Sequence, residues 1–161
     1  MSRVYLASSW RNPHYELVRD LLTESGHSVA DWKSGPKALP AWSKVDARYA
    51  QACSDGAWTP ALAREALRSQ AVLDTCDRDL SLLWSADALV LLTPCGRSAH
   101  LEAGVALGRR MPTAILLTPG VEPEVMTAKF DALCSTEELL EWLLSVPSGG
   151  RDLSPFAKGL R

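Results

Sequence analysis

Cysteine is sparse and carries no pattern. The four residues Cys53, Cys76, Cys95 and Cys134 form no CxxC pair and no spacing that suits a zinc site. They predict free thiols in a reducing compartment. Excess charge of one sign is missing too: a formal net charge of −2 argues against a general binder of nucleic acid or other polyanions, while leaving room for a local basic site. The N-terminus has no basic region followed by a signal-peptide core, because Ser8 and Ser9 interrupt the apolar start. The longest apolar run, around Ala86–Leu92, is far too short to span a bilayer. Internal repeats and low-complexity tracts are absent. A soluble cytoplasmic protein without nucleic-acid or membrane partners is expected.

What is present suffices for one core. The chain has 161 residues, the usual size of a single domain, and its 47% hydrophobic content makes disorder unexpected over most of its length. Val4–Ala7 predicts a strand that enters the polar segment Ser8-Ser9-Trp10-Arg11-Asn12. Asn12-Pro13 predicts a helix start, with a capping side chain followed by a ring preset at helical φ. Tyr15, Val18, Leu21 and Leu22 recur at helical spacing until Gly26, and His27–Trp32 predicts a second strand. The stretch from Lys33 to Trp58 is too long for a connection and holds Gly35, Pro36, Pro40 and Gly56. It predicts an insertion beside the sheet, helical in part over Ser43–Ala52.

Thr59-Pro60 predicts a capped helix through about Ala71, and Asp79–Ser85 another, before the strand Ala88–Leu92. Ser98 is expected to cap a helix running to Arg110. Thr113–Leu117 and a short segment at Leu133 complete the strands, and Ser135–Glu138 reads as a capping box before the helix Leu139–Leu144. The expected organisation is one α/β domain over residues 1–146, with residues 33–76 inserted and 147–161 a loose tail. The expected fold is a doubly wound, flavodoxin-like or Rossmann-like parallel sheet of about five strands, in which ligands sit at the carboxyl ends of the strands.

Two loops leave such ends: Ser8–Asn12, and Thr93-Pro94-Cys95-Gly96-Arg97-Ser98. Backbone N–H groups, Arg11, Arg97 and the serine hydroxyls suit them to an anion such as phosphate, although a cap and two solvated arginines would look the same. Glu102, placed in the first turn of its helix, would be kept ionised by the helix dipole, as a nucleophile requires. Gly104 and Gly108 would keep that helix slim against the sheet or a ligand. Among Asp74, Asp77, Asp79 and Asp87, the last is expected at the amino edge of the sheet, and spacing alone leaves Asp77 and Asp79 unresolved.

Three segments in order carry a resemblance: Val4–Ser9, Asp79-Leu80-Ser81-Leu82-Leu83-Trp84-Ser85-Ala86-Asp87, and Glu102-Ala103-Gly104-Val105-Ala106-Leu107-Gly108. Together they are similar to the nucleoside 2-deoxyribosyltransferase superfamily, which includes nucleoside 5′-monophosphate N-glycosidases, over roughly residues 3–32 and 77–118. The resemblance implies Glu102 as the nucleophile on C1′, Asp79 as the residue assisting protonation of the leaving base, and Tyr5 as a residue positioning the glutamate. It implies a small-molecule nucleotide or nucleoside as partner, with Ser8, Ser9, Trp10, Arg11, Gly96, Arg97 and Ser98 lining the substrate.

Arg97 and Ser98 favour a 5′-phosphate; the loop itself departs from those hydrolases by being about one residue shorter and by carrying Cys95 and His100. The resemblance implies no cofactor and no metal, and a homodimer or higher homo-oligomer. Trp10, Trp32, Trp42 and Trp58 are available to stack on a base. Alternatives are an NAD glycohydrolase and a non-catalytic nucleotide sensor. A phosphoribohydrolase with a P-G-G-x-G-T motif is disfavoured, because the second glycine and the threonine are missing after Pro94-Cys95-Gly96.

Overall fold

The computed structural model describes residues 1–34 and 38–148, without the side chain of Trp42. Most of the expected 147–161 tail, together with Gly35 and Pro36, lies outside the described residues. The chain divides into two units, Met1–Ala30 with the chain from Leu82 onward, and Asp31–Ser81.

The first unit is built on five parallel strands: β1 (Arg3–Ala7), β2 (Ser28–Val29), β3 (Ala88–Leu92), β4 (Thr113–Leu116) and β5 (Ala132–Cys134). Their order is β2-β1-β3-β4-β5, the doubly wound order of a flavodoxin-like sheet. Every residue of β3 is buried, as expected for a central parallel strand covered on both faces. Helix α1 (Tyr15–Glu24) packs beside β2 and buries Tyr15, Val18 and Leu22, three of the positions the periodicity shares.

The second unit holds α2 (Trp42–Val45), α3 (Ala47–Ser54), α4 (Pro60–Leu67) and most of α5 (Gln70–Trp84). Back in the first unit, α6 (Arg97–Gly108) packs on β1, β3 and β4, and α7 (Thr136–Ser145) packs on β4 and β5. A short 3-10 turn, Val125–Lys129, precedes β5. No helix among the described residues is long and apolar enough to cross a membrane.

Several boundaries differ from the sequence reading. The expected strand His27–Trp32 pairs only over Ser28 and Val29, with Ala30 N–H still donating to Val4 O at 2.8 Å. Beyond it, the Asp31 carboxylate accepts from the N–H groups of Lys33 and Ser34 at 2.9 and 3.1 Å, a side-chain turn that ends the extended run. The single helix expected over Ser43–Ala52 is broken at Asp46, which caps α3 by accepting from Tyr49 N–H at 2.9 Å. Thr59 does cap α4, but that helix stops at Leu67, and a new one starts at Gln70, nine residues before the expected start at Asp79.

Two aspartates close the amino edge of the sheet. Asp87 accepts from Arg3 N–H at 2.8 Å and returns its own N–H to Arg3 O at 2.7 Å. Asp131 repeats the exchange with Thr113, at 2.7 and 2.9 Å. Asp87 therefore lies at the end away from the ligand crevice, as expected.

Candidate active site

In a sheet of this order the connections run in opposite directions from β1 and β3, which opens a crevice at their carboxyl ends. The register pairs Ala7 with Leu91, so Ser8 and Leu92 emerge side by side. Ser8 Oγ donates to Leu92 O at 3.0 Å and accepts from the Asn12 amide at 3.0 Å. Its hydroxyl is thus committed to joining two strands.

Asn12 is not the cap of α1, whose cap position is His14 without a side-chain cap bond. Asn12 Oδ1 accepts from His14 N–H at 2.8 Å, while Nδ2 donates to Ser8 Oγ, to Leu92 O at 3.2 Å and to Pro94 O at 3.0 Å. Helix α1 accordingly begins at Tyr15, later than the Asn12-Pro13 signal suggests, because the asparagine side chain turns back to the neighbouring loop. Between Ser8 and Asn12 the backbone makes a β-turn, with Asn12 N–H donating to Ser9 O at 3.0 Å and Arg11 N–H to Ser9 Oγ at 3.2 Å. This turn presents Trp10 and Arg11 to solvent, and Ser9 is half-buried.

The second loop is tied on its other side as well. Thr93 and Thr118 hydroxyls lie 3.0 Å apart, and Thr118 Oγ1 donates to Thr93 O at 2.9 Å. The Thr93-Pro94 peptide is cis. From there the chain enters α6 with Gly96 at the cap position and no side-chain cap bond. Ser98 is therefore not the cap: it is the second helical residue, exposed next to the exposed Arg97. The helix ends at Gly108, with Arg109 as its C-terminal cap, so it stops short of the expected Arg110. The N–H groups of its first turn have no partners within the helix, which makes this end a local positive pole.

Because α6 starts at Arg97, Glu102 belongs to its second turn, and the first turn contains no acidic residue. The dipole acts on it more weakly than a first-turn placement implies. What places Glu102 is packing. Ala99, Ala103 and Ala106 form the buried stripe of α6, and Glu102 stands half-buried at its shoulder. Burial first, and then the charge of Glu102, push the Cys95 thiol up to about 11. His100 occupies the same corner, its Nδ1 3.7 Å from Cys95 Sγ and 3.1 Å from Gly96 O.

The remaining sequence-predicted residues belong to other elements. Tyr5 is buried within β1. Asp79 is half-buried on α5 in the Asp31–Ser81 unit. Trp10 and Trp58 are exposed, Trp32 is buried, and the side chain of Trp42 lies outside the described residues. Gly104 and Gly108 do not serve close packing on the sheet, since a Cβ at either would meet nothing within 4 Å. Among the described residues no group of three or more His, Cys, Asp or Glu side chains is arranged to hold a metal ion.

No protein-family model matches the chain, and no curated protein sequence is similar to it. Solved structures do match. A 2-deoxyribosyltransferase from Bacillus psychrosaccharolyticus, described as a biocatalyst for nucleoside synthesis, superposes with a TM-score of 0.59 over 92% of this chain and 98% of its own, at 14% identity. The chain shares its fold with a 2-deoxyribosyltransferase. A conserved protein from Enterococcus faecalis V583 matches with a TM-score of 0.52 over 90% of this chain and 98% of that one, at 12% identity. The shared fold runs through the inserted segment as well, well beyond the residues that carry the sequence resemblance.

Asn12, Thr93 and Cys95 lie in the two loops singled out from the sequence but were given no role of their own there, and Thr118 was not singled out. Asn12 carried a signal, but a local one: Asn-Pro reads as a helix start, and nothing in the spacing points to a loop 80 residues away.

Proposed function

We propose that this protein cleaves or exchanges the N-glycosidic bond of a nucleoside 5′-monophosphate or nucleoside, with Glu102 as nucleophile. The observation that carries the reading is the placement of Glu102. It is half-buried beside the loop that leaves β3, and its charge is felt by Cys95, in a chain with the fold of a 2-deoxyribosyltransferase.

A Glu102 oxygen attacks C1′, the C1′–N bond breaks, and the electron pair of that bond leaves on the base, which takes a proton from Asp79. Water, or the nitrogen of a second base, then attacks C1′ and releases the carboxylate, and its proton returns to Asp79. Two such displacements retain configuration, the logic of a retaining glycosidase. Tyr5, buried within β1, holds the glutamate in position. At the open side, Ser9 and Arg11 on their turn and Gly96, Arg97 and Ser98 at the start of α6 take the 5′-phosphate, where helix N–H groups and guanidinium forks favour a dianion. Ser8 holds the first loop in place, and Trp10 flanks the sugar or base.

The test is incubation with nucleosides, their 5′-monophosphates and NAD, with free base separated by chromatography. Base release from the monophosphates or nucleosides is expected, and Glu102→Gln should lower it roughly 10³-fold or more. Release of nicotinamide alone would make the protein an NAD glycohydrolase. Nucleotide binding without turnover, unchanged by Glu102→Ala, would make it a sensor.

A further inference from the structure

Both loops of this site leave the carboxyl edge of the sheet, where loops are ordinarily its most mobile parts. Here they are joined through the Ser8 hydroxyl and, reaching further into the second loop, the Asn12 amide. Asn12 is 2% exposed, and its two amide protons are shared among Ser8 Oγ, Leu92 O and Pro94 O while its oxygen accepts from His14 N–H. Two of those partners, Leu92 and Pro94, belong to the segment that leads into α6, and Pro94 O lies three residues before the helix starts at Arg97. From the far side, Thr118 holds Thr93 of the same segment.

We propose that Asn12 is a positioning residue of this site: its amide fixes the β3–α6 loop against the β1 loop, and through it the start of the helix that carries Glu102. The inference rests on the reading of Glu102 as nucleophile. A nucleophile that must meet C1′ in line loses rate steeply when its support shifts, by about 10²-fold for displacements near 1 Å. Asn12 touches no reacting atom in this account. Its role is to keep the loop from sampling other positions.

Asn12→Asp separates the two halves of the contact. The carboxylate still accepts from His14 N–H, but it cannot donate to Leu92 O or Pro94 O and instead sets a negative charge against them. Asn12→Ser, with one short hydroxyl, provides a second variant should the aspartate prevent folding. Cys95 supplies a readout that needs no substrate. It lies in the tied loop and is half-buried, whereas Cys134 is buried in β5, and Cys53 and Cys76 are exposed.

The full-length wild type, both Asn12 variants and Glu102→Gln would be alkylated with iodoacetamide at about pH 8, with each cysteine followed by mass spectrometry, and assayed in parallel for kcat and KM of base release. In the Asn12 variants Cys95 is expected to react about tenfold faster with Cys134 unchanged, because local opening of the loop becomes more frequent without global unfolding. In the same variants kcat should fall about 10- to 100-fold with KM moving much less. Equal acceleration of Cys95 and Cys134, no acceleration of Cys95, or an unchanged kcat would each overturn the proposal. If the wild type released no base, or Glu102→Gln released it at the wild-type rate, the reading of Glu102 would fail. The contrast between Cys95 and Cys134 would still decide whether Asn12 fixes the loop.

Discussion

At the scale of single residues, the corner around Glu102 is held by short polar side chains, and the charged ones face outward. Ser8, Asn12 and Thr93 are buried and bonded, while Arg11 and Arg97 are exposed at the rim. Cys95 lies half-buried in this corner. Its thiol, pushed up to about 11 by burial and then by Glu102, should be a slow nucleophile at neutral pH. Replacing the carboxylate with an amide removes the smaller of those two causes. Glu102→Gln is therefore expected to speed alkylation of Cys95 by less than about tenfold at fixed pH, with Cys134 as the control. An unchanged Cys95 rate would place the Glu102 charge away from the loop. Gly104 lends itself to a different substitution. It lies inside α6 with open space where a Cβ would go. Gly104→Ala should stabilise the fold by about 0.5–1 kcal/mol in urea denaturation. A loss of turnover despite that gain would show that the space belongs to the substrate.

Among the elements, α7 is the one whose start is most fully written in its residues. Ser135 N–H donates to Glu138 Oε2 at 2.7 Å, and Glu138 N–H returns a bond to Ser135 Oγ at 3.4 Å. Accepting from Ser135 holds the Glu138 carboxyl below its ordinary value of 4.5. A carboxylate with a lowered folded pKa stabilises the protein above its unfolded pKa and loses that contribution as pH falls through the folded one. Glu138→Gln should thus lower Tm at neutral pH and converge with the wild type in acid. Ser135→Ala should cost about 1 kcal/mol in urea denaturation. By contrast, α6 starts at Gly96 without a side-chain cap. Its entry is set by the loop before it, which is why Ser98 misleads as a cap and why Glu102 lies one turn deeper than expected.

Over the whole molecule, the two edges of the sheet are finished differently. The amino edge is closed by Asp87 and Asp131 on backbone N–H groups, and the carboxyl edge is tied by neutral Asn, Ser and Thr side chains. Alkaline stability follows from the thiols. Cys95 has a folded value of about 11 against an ordinary 9.0, so its contribution is complete below pH 9.0 and is lost as pH rises through about 11. Cys95→Ser should flatten that part of a Tm profile taken from about pH 8 to about pH 11. The strands β1, β3 and β4, the helix α1 stripe of Tyr15, Val18 and Leu22, the Thr59 cap and the Ser135–Glu138 box were all determined by the sequence alone. Each is a local pattern, in which the residues that interact lie within a few positions of one another. The parallel order of the sheet also followed, since alternating strands and helices leave few other ways to cover both faces. The tertiary structure alone decided the extent of β2, the second-turn position of Glu102 and the tie made by Asn12. In that tie a side chain at position 12 meets carbonyls at 92 and 94. Such a bond exists only because β1 and β3 pair in register and bring Ser8 and Leu92 out together, and no spacing along the chain records it.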